Sequence, residues 1–340
     1  METRQLGNLW PVSALTIGGG GLGQIWGDTT RDEAIATLKA AIDAGITLID
    51  MAPLYGRGEA ERVVGETFGG TLPDGIRITT KCYLGTPPAD KVMEKLELAL
   101  TRSFDATKLD YVDIFFLHTN ICPDNYTYMH NEENQDRFAT RWSIYVNEVI
   151  PAMETLKSQG RIGNWGITGT GLPRSIMDAL RLDKAPAVVQ AVTNLMDSAG
   201  GMRNYEEPAE PRNIIRTAKN NDVGVMGIRA VQAGALTQEI DRDLPEGNSE
   251  RMDYIKAAPY RALCAQLGEN PAILAHQYAL AMEGVDTLIL GVKNRQELKE
   301  IVDAVDAGPI DPAVKEKIDG LRLNFQIPRM PLDEMDIDSD

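Results

Sequence analysis

Four side chains stand out by type and spacing: Asp50, Tyr55, Lys81 and His118. A carboxylate, a phenol, an ammonium and an imidazole are the groups from which proton-transfer sites are built. Each of the three strand-end groups follows an apolar run. Asp50 closes ITLID, Lys81 closes IRITTK and His118 closes VDIFFLH, while Tyr55 lies in the loop five residues after Asp50. Taken singly, each has a plain explanation: a helix-capping Asp, a solvated Lys, a satisfied core His. Their occurrence at three consecutive strand ends predicts one shared site, with charged groups rising out of a dry core.

The elements that must position them alternate regularly. Strand-like runs fall at 13–17, 46–50, 75–81, 111–118, 161–168, 187–193, 223–228 and 285–292. Helical spacing follows at 32–45, 59–68, 89–104, 146–159, 173–181, 211–221, 271–282 and 295–305. Eight strand–helix units without a linker are the count of a (β/α)8 barrel of the TIM type, an α/β fold with its working residues at the C-terminal strand ends. The chain therefore reads as one domain over 1–325, followed by a flexible acidic tail over 326–340. The segments 119–141, 194–210 and 236–262 are longer than ordinary connections and are expected to cap the barrel mouth.

Composition narrows the function. The 340 residues carry a formal net charge of −16, which argues against nucleic acid and against an anionic membrane surface as partners. Three scattered cysteines without a CxxC, and three histidines without a paired motif, predict neither disulfides nor a metal site. METRQLGNLW has no apolar signal core, and no apolar run is long enough to span a bilayer, so a cytoplasmic location is expected. Gly18, Gly20 and Gly23 satisfy GxGxxG, but a helical pattern begins only after Thr30, too late for a pyrophosphate to meet a helix N-terminus in a doubly wound fold. A closer role for Gly19 and Gly20 is to let a ligand approach the backbone.

The stretch LIDMAPLYGRGEAERVVGETF at 48–68 resembles the strand-two signature of the aldo-keto reductase family. ITTK and DIFFLH resemble its strand-three Lys and strand-four His, and RIGNWGIT, VVQAVTN and GVMGIRAVQAGALT resemble later strands. The resemblance runs from about residue 4 to residue 305. It implies reduction of an aldehyde or ketone by NAD(P)H, or oxidation of an aldose or alcohol. Tyr55 would be the general acid or base, with its pKa lowered by Lys81. Asp50 would hold Lys81 charged, and His118 would orient the carbonyl oxygen.

The same resemblance assigns cofactor contacts to Gly19, Gly20, Asp50, Thr168, Gln190, Ile228, Arg229, Val231, Gly291, Lys293, Arg295, Glu297 and Glu300. Thr168 stands where the family usually has Ser, and Gly169 replaces the Asn that normally follows. Ile228 replaces the aromatic that stacks on nicotinamide, and Arg229 replaces a Ser, placing a guanidinium where it can grip a pyrophosphate. GVKNRQELKEI at 291–301 matches the segment that holds the adenosine 2′-phosphate, at the start of a helix. Lys293 and Arg295 against the single acid Glu297 favour NADP, with NAD left open. Tyr126, Tyr128, His130 and Trp142 are candidate contacts to a small carbonyl or sugar substrate. A cofactor-binding regulatory subunit on the same scaffold is the alternative to an enzyme. Substrate identity and oligomeric state leave no readable mark.

Overall fold

The computed structural model describes residues 1–129, 132–240 and 242–324. An antiparallel hairpin, β1 (Thr3–Gln5) and β2 (Pro11–Ser13), comes first. Barrel strands β3 (Leu15–Gly18), β4 (Leu48–Asp50), β5 (Arg77–Cys82) and β6 (Val112–Leu117) follow. The chain then leaves the barrel for a small parallel pair, β7 (Asn120–Cys122) and β8 (Ala139–Arg141). It returns with β9 (Ile162–Gly169), β10 (Val188–Val192), β11 (Gly224–Ile228) and β12 (Thr287–Leu290). The eight barrel strands are all parallel, and β12 pairs with β3 to close the ring. This is the (β/α)8 architecture that the eight strand–helix units implied.

Strand periodicity explains where the site lies. Side chains two apart share a face, and in a closed barrel one face is the interior. Leu48, Ile114, Phe116, Val188 and Met226 form one buried interior cluster. Two residues further along the same strands come Asp50, His118, Gln190 and Ile228. The apolar layer thus becomes a polar one at the C-terminal ends. The hairpin supplies the floor: Leu6 and Val12 join the interior cluster and are almost wholly buried. The hairpin is fastened by Asn8 N–H donating to Asp222 O at 3.2 Å, just before β11, and by Gly7 N–H donating to Asp286 Oδ2 at 3.3 Å, just before β12.

Several boundaries differ from the expected ones for physical reasons. The first barrel strand begins at Leu15, because Ser13 is taken by the hairpin, which periodicity did not reveal. The glycines after β3 form a helical turn, Gly19–Leu22. The expected loop 236–262 contains the helix Ser249–Lys256 and the start of Ala258–Leu267, and a further helix, Pro312–Gly320, follows the barrel. Both Ser249–Lys256 and Pro312–Gly320 are capped at the N-terminus by a side chain, Asn248 and Asp311. The 326–340 tail and His130 lie outside the described residues. Among those described, no helix is long and apolar enough to cross a membrane.

If the hairpin is an integral floor, truncating its buried anchor must cost as much as a core deletion. Leu6→Ala is expected to lower stability by about 2–5 kcal/mol. Urea unfolding checks this, and a loss below about 0.5 kcal/mol would show that the hairpin is an appendage.

Candidate active site

The centre of the polar layer is an ion pair. Lys81 Nζ lies 2.6 Å from Asp50 Oδ2 and also donates to Met51 O at 2.8 Å. Lys81 is fully buried and Asp50 is 1% exposed. Burying two charges is costly unless their remaining hydrogen-bonding capacity is met. Here it is: Thr79 Oγ1 and Gln190 Nε2 each donate to Asp50 Oδ1 at 2.6 Å. Burial works most strongly against the charge on Lys81, but Asp50 and Tyr55 together outweigh it, and the lysine is held above its ordinary pKa.

Tyr55 and His118 stand around this pair. Lys81 Nζ is 4.9 Å from the centroid of the Tyr55 ring, and the Tyr55 and His118 rings meet edge to face with centroids 6.1 Å apart. Tyr83, largely exposed, packs on the His118 ring in the same manner at 6.2 Å. Burial pushes the His118 imidazole down to about 3, with Lys81 adding to the effect, so the ring is neutral at physiological pH. For Tyr55 the expectation needs correction. Lys81 does pull its phenol down, but burial pushes harder in the opposite direction and leaves it above the usual tyrosine range. Tyr55 therefore holds its proton firmly through neutral pH.

Two polar atoms at this mouth are buried without a hydrogen-bond partner among the described residues: His118 Nδ1 and Thr168 Oγ1. Such atoms are costly to leave unsatisfied and mark where a polar ligand fits. Thr168 is in register with Gln190 on the neighbouring strand, and both point into the layer that holds Asp50.

A family model described as "Aldo/keto reductase family" matches residues 14–322. The chain belongs to the aldo/keto reductase family. It is 27% identical to L-galactose dehydrogenase of Arabidopsis thaliana over 308 residues, covering 90% of this chain and 88% of that protein. It is 25% identical over 284 residues to the methylglyoxal reductase YeaE of Escherichia coli K12, covering 83% and 85%. In fold it superposes on an aldo-keto reductase from Klebsiella pneumoniae in complex with NADPH, with TM-score 0.66, 21% identity and coverage of 96% and 97%.

In this aldo/keto reductase the expected cofactor groups fall into two sets. Thr168, Gln190 and Ile228 belong to the inner layer, although the Gln190 amide N–H is already committed to Asp50. Gly19 and Gly20 are buried against the protein itself. A Cβ on Gly19 would stand 3.0 Å from Tyr55 Cδ2, and one on Gly20 would stand 2.5 Å from Trp26 Nε1. Gly19 leaves room for Met51 and Tyr55, and Trp26 lies over both Gly20 and Gly291.

The outer set follows β11 and β12. Arg229, expected on a pyrophosphate, is bound instead by Glu250 at 3.0 Å and by Gln232 Oε1 at 2.8 Å. Desolvation holds its guanidinium below the ordinary arginine range, with Glu250 opposing. Val231 is partly buried beside it. Lys293 Nζ is 3.5 Å from Glu297 Oε1, and Arg295 pairs with Glu33 at 2.8 Å. Glu300 accepts from Gln296 on the exposed face of the same helix. Tyr128, a candidate substrate contact, is 1% exposed in a cluster with Cys122, Ala139, Leu172 and Tyr205, so it is structural. Tyr126 donates to Glu207, and Trp142 packs on Tyr145.

Sequence reasoning missed Trp26, Glu33 and Glu250. Glu33 meets Arg295 across 262 positions, Glu250 meets Arg229 from a separate helix, and Trp26 meets Gly291 across nearly the whole barrel sequence, and no local spacing announces these meetings.

Removing the carboxylate leaves Lys81 buried and uncompensated. Asp50→Asn is expected to cost about 3–5 kcal/mol at neutral pH. In the wild type the raised Lys81 pKa contributes stability at every pH below its unfolded value of about 10.4. In the variant the lysine sheds its proton readily, so the deficit shrinks as pH rises towards about 9. Urea unfolding across that range checks this, and an equal deficit at both ends would count against the ion pair as the cause.

Proposed function

We propose that the chain interconverts a small carbonyl compound, an aldehyde, ketone or aldose, with the corresponding alcohol, using a nicotinamide dinucleotide. The observation that carries this is the buried Asp50–Lys81 pair set beneath Tyr55 and His118, with His118 Nδ1 and Thr168 Oγ1 left unpartnered beside it. The dinucleotide, when bound, supplies or accepts the hydride. Thr168 and the Gln190 amide oxygen are the inner groups suited to its carboxamide, with Ile228 giving apolar contact to the ring. Val231, Gly291 and the helix beginning at Arg295 are the groups that would hold its phosphates and adenosine.

The protein's own part is proton transfer and electrostatics. As hydride arrives at the carbonyl carbon, negative charge grows on the oxygen. Tyr55 Oη donates its proton to that oxygen. The phenolate left behind is stabilised by the Lys81 ammonium, which Asp50 keeps charged and fixed. His118, neutral, donates a hydrogen bond to the same oxygen and sets its direction. In the oxidative direction each transfer reverses. Tyr55 is protonated at neutral pH, the state from which it can give a proton, and the charge growing on the carbonyl oxygen beside the Lys81 ammonium is what draws that proton off. Similarity to a sugar dehydrogenase and to a methylglyoxal reductase supports small carbonyls and sugars as the substrate class. Tyr83, exposed beside His118, is the side chain placed to meet such a substrate first.

Turnover is read from the absorbance of reduced nicotinamide with a panel of aldehydes, ketones and aldoses. Tyr55→Phe is expected to lower kcat by about a hundredfold to ten-thousandfold while dinucleotide binding is retained. Full activity in that variant removes Tyr55 from the mechanism. A wild type that binds cofactor but turns over no member of the panel supports the binding-subunit alternative.

The pH profile is a separate check. Because the His118 imidazole is pushed down to about 3, kcat/KM for reduction is expected to stay level from about pH 5 to 8. It then falls at alkaline pH as Tyr55 loses its proton. A limb near pH 6.5, the ordinary histidine value, would show that His118 titrates as a charged acid.

A further inference from the structure

The loops after strands seven and eight of a (β/α)8 barrel, with an adjoining helix N-terminus, are a general phosphate-binding position. In this barrel those strands are β11 and β12, and the helix is Arg295–Asp306. Three cations gather there, and the protein's own carboxylates meet each of them. Arg229 is held by Glu250, and Lys293 by Glu297. Arg295 is gripped by Glu33 in a fork, Nε to Oε1 at 3.0 Å and Nη2 to Oε2 at 2.8 Å.

Glu33 does more than pair with a side chain. Its Oε1 also accepts the backbone N–H of Arg295 at 3.0 Å, the first amide of the helix. Asn294 takes the Glu297 N–H at 2.9 Å, and Glu297 Oε2 takes the Lys293 N–H at 2.8 Å. The donors that would receive a phosphate at this helix start are thus filled by carboxylate and carboxamide oxygens. The charge count read from the sequence, two cations against one acid, becomes two against two once Glu33 is brought in across the fold.

We propose that Glu33 and Glu297 close the anion site after β12 to a phosphate on the adenosine ribose, so that this chain takes NAD(H) in preference to NADP(H). This rests on the dinucleotide reading above. A phosphomonoester would have to displace the Glu33 fork from Arg295 while standing beside a fixed carboxylate. A ribose carrying free hydroxyls asks for the opposite chemistry, since its O–H groups donate to carboxylates. The position of Glu33 is set by the helix Arg31–Asp43, whose N-cap Thr30 accepts the Glu33 N–H, and the preceding loop is tied to the same site by Thr29 donating to Lys293 O at 2.8 Å.

Isothermal titration calorimetry of the full chain with NAD⁺, NADP⁺, 5′-AMP and 2′,5′-ADP tests this without reference to turnover. NAD⁺ is expected to bind at least about tenfold more tightly than NADP⁺, and 5′-AMP more tightly than 2′,5′-ADP. Glu33→Gln and Glu297→Gln should each tighten NADP⁺ about threefold to tenfold, the scale of exposed ion pairs, and weaken NAD⁺ about twofold or more as its ribose hydroxyls lose an acceptor. Asp303→Asn, on the same helix but two turns away, should shift neither. A wild type that prefers NADP⁺ overturns the proposal, as does an unchanged ratio in both glutamine variants. An equal shift from Asp303→Asn also overturns it, since the effect would then be net charge alone. If no dinucleotide or fragment binds, the dinucleotide reading fails and carries the inference with it.

Discussion

The site depends on one buried ion pair. Lys81 has no exposed surface, and Asp50 has next to none. Such a pair stands only if both ends are saturated with well-directed hydrogen bonds, because each ion has lost its water. Thr79 on the adjacent strand β5, Gln190 on β10 across the barrel and the carbonyl of Met51 in the loop after β4 provide them. The strands must therefore sit in one register for the charges to be tolerated at all. With the pair in place, one cation of known position faces Tyr55, and the same cation helps keep His118 neutral.

Backbone geometry then brings Tyr55 to that cation. The turn after β4 can approach because the residues facing it across β3 have no side chains. Gly19 admits the Tyr55 ring, and the carbonyl and carbonyl carbon of Tyr55 crowd Gly23, where a Cβ would stand 2.7 Å away. The glycine run is thus a packing surface for the catalytic loop. Its resemblance to a dinucleotide fingerprint is incidental. Trp26, arriving from the same loop, covers Gly20 and Gly291 and joins the first strand to the last.

Much of this was legible in the sequence. Apolar strand runs alternating with helical spacing gave the eight strands, the residues closing three of those runs gave Asp50, Lys81 and His118, and the loop after the first of them gave Tyr55. What remained hidden has a common physical origin. The hairpin floor is short and half exposed, so its alternation does not rise above its surroundings. Burial at Tyr55 is a property of the assembled mouth, and a pKa argument from one neighbour gave the wrong direction. Glu33 and Arg295 are 262 positions apart, and no local pattern joins them. Gln190 and Thr168 were found in the right layer, but the tie between Gln190 and Asp50 needed the barrel to close. The outer cations were named from the sequence, while the carboxylates Glu33 and Glu250 that meet two of them were not.

That closure has a consequence for how the protein must come into being. The Thr16 and Thr287 hydroxyls meet at 2.7 Å across 271 positions of chain. Until β12 has left the ribosome, β3 and β11 are open edges of a parallel sheet, each with a row of unmet backbone donors and acceptors. Long-range pairing of this kind is slow and leaves sticky intermediates exposed. A nascent chain that stalls before residue 287 carries Asp50, Tyr55, Lys81 and His118 already synthesised on a sheet with no means of sealing itself. Birth of this enzyme is therefore a race between the arrival of its last strand and the adhesion of its unfinished rim, and a cell that makes it in quantity has reason to shelter that rim.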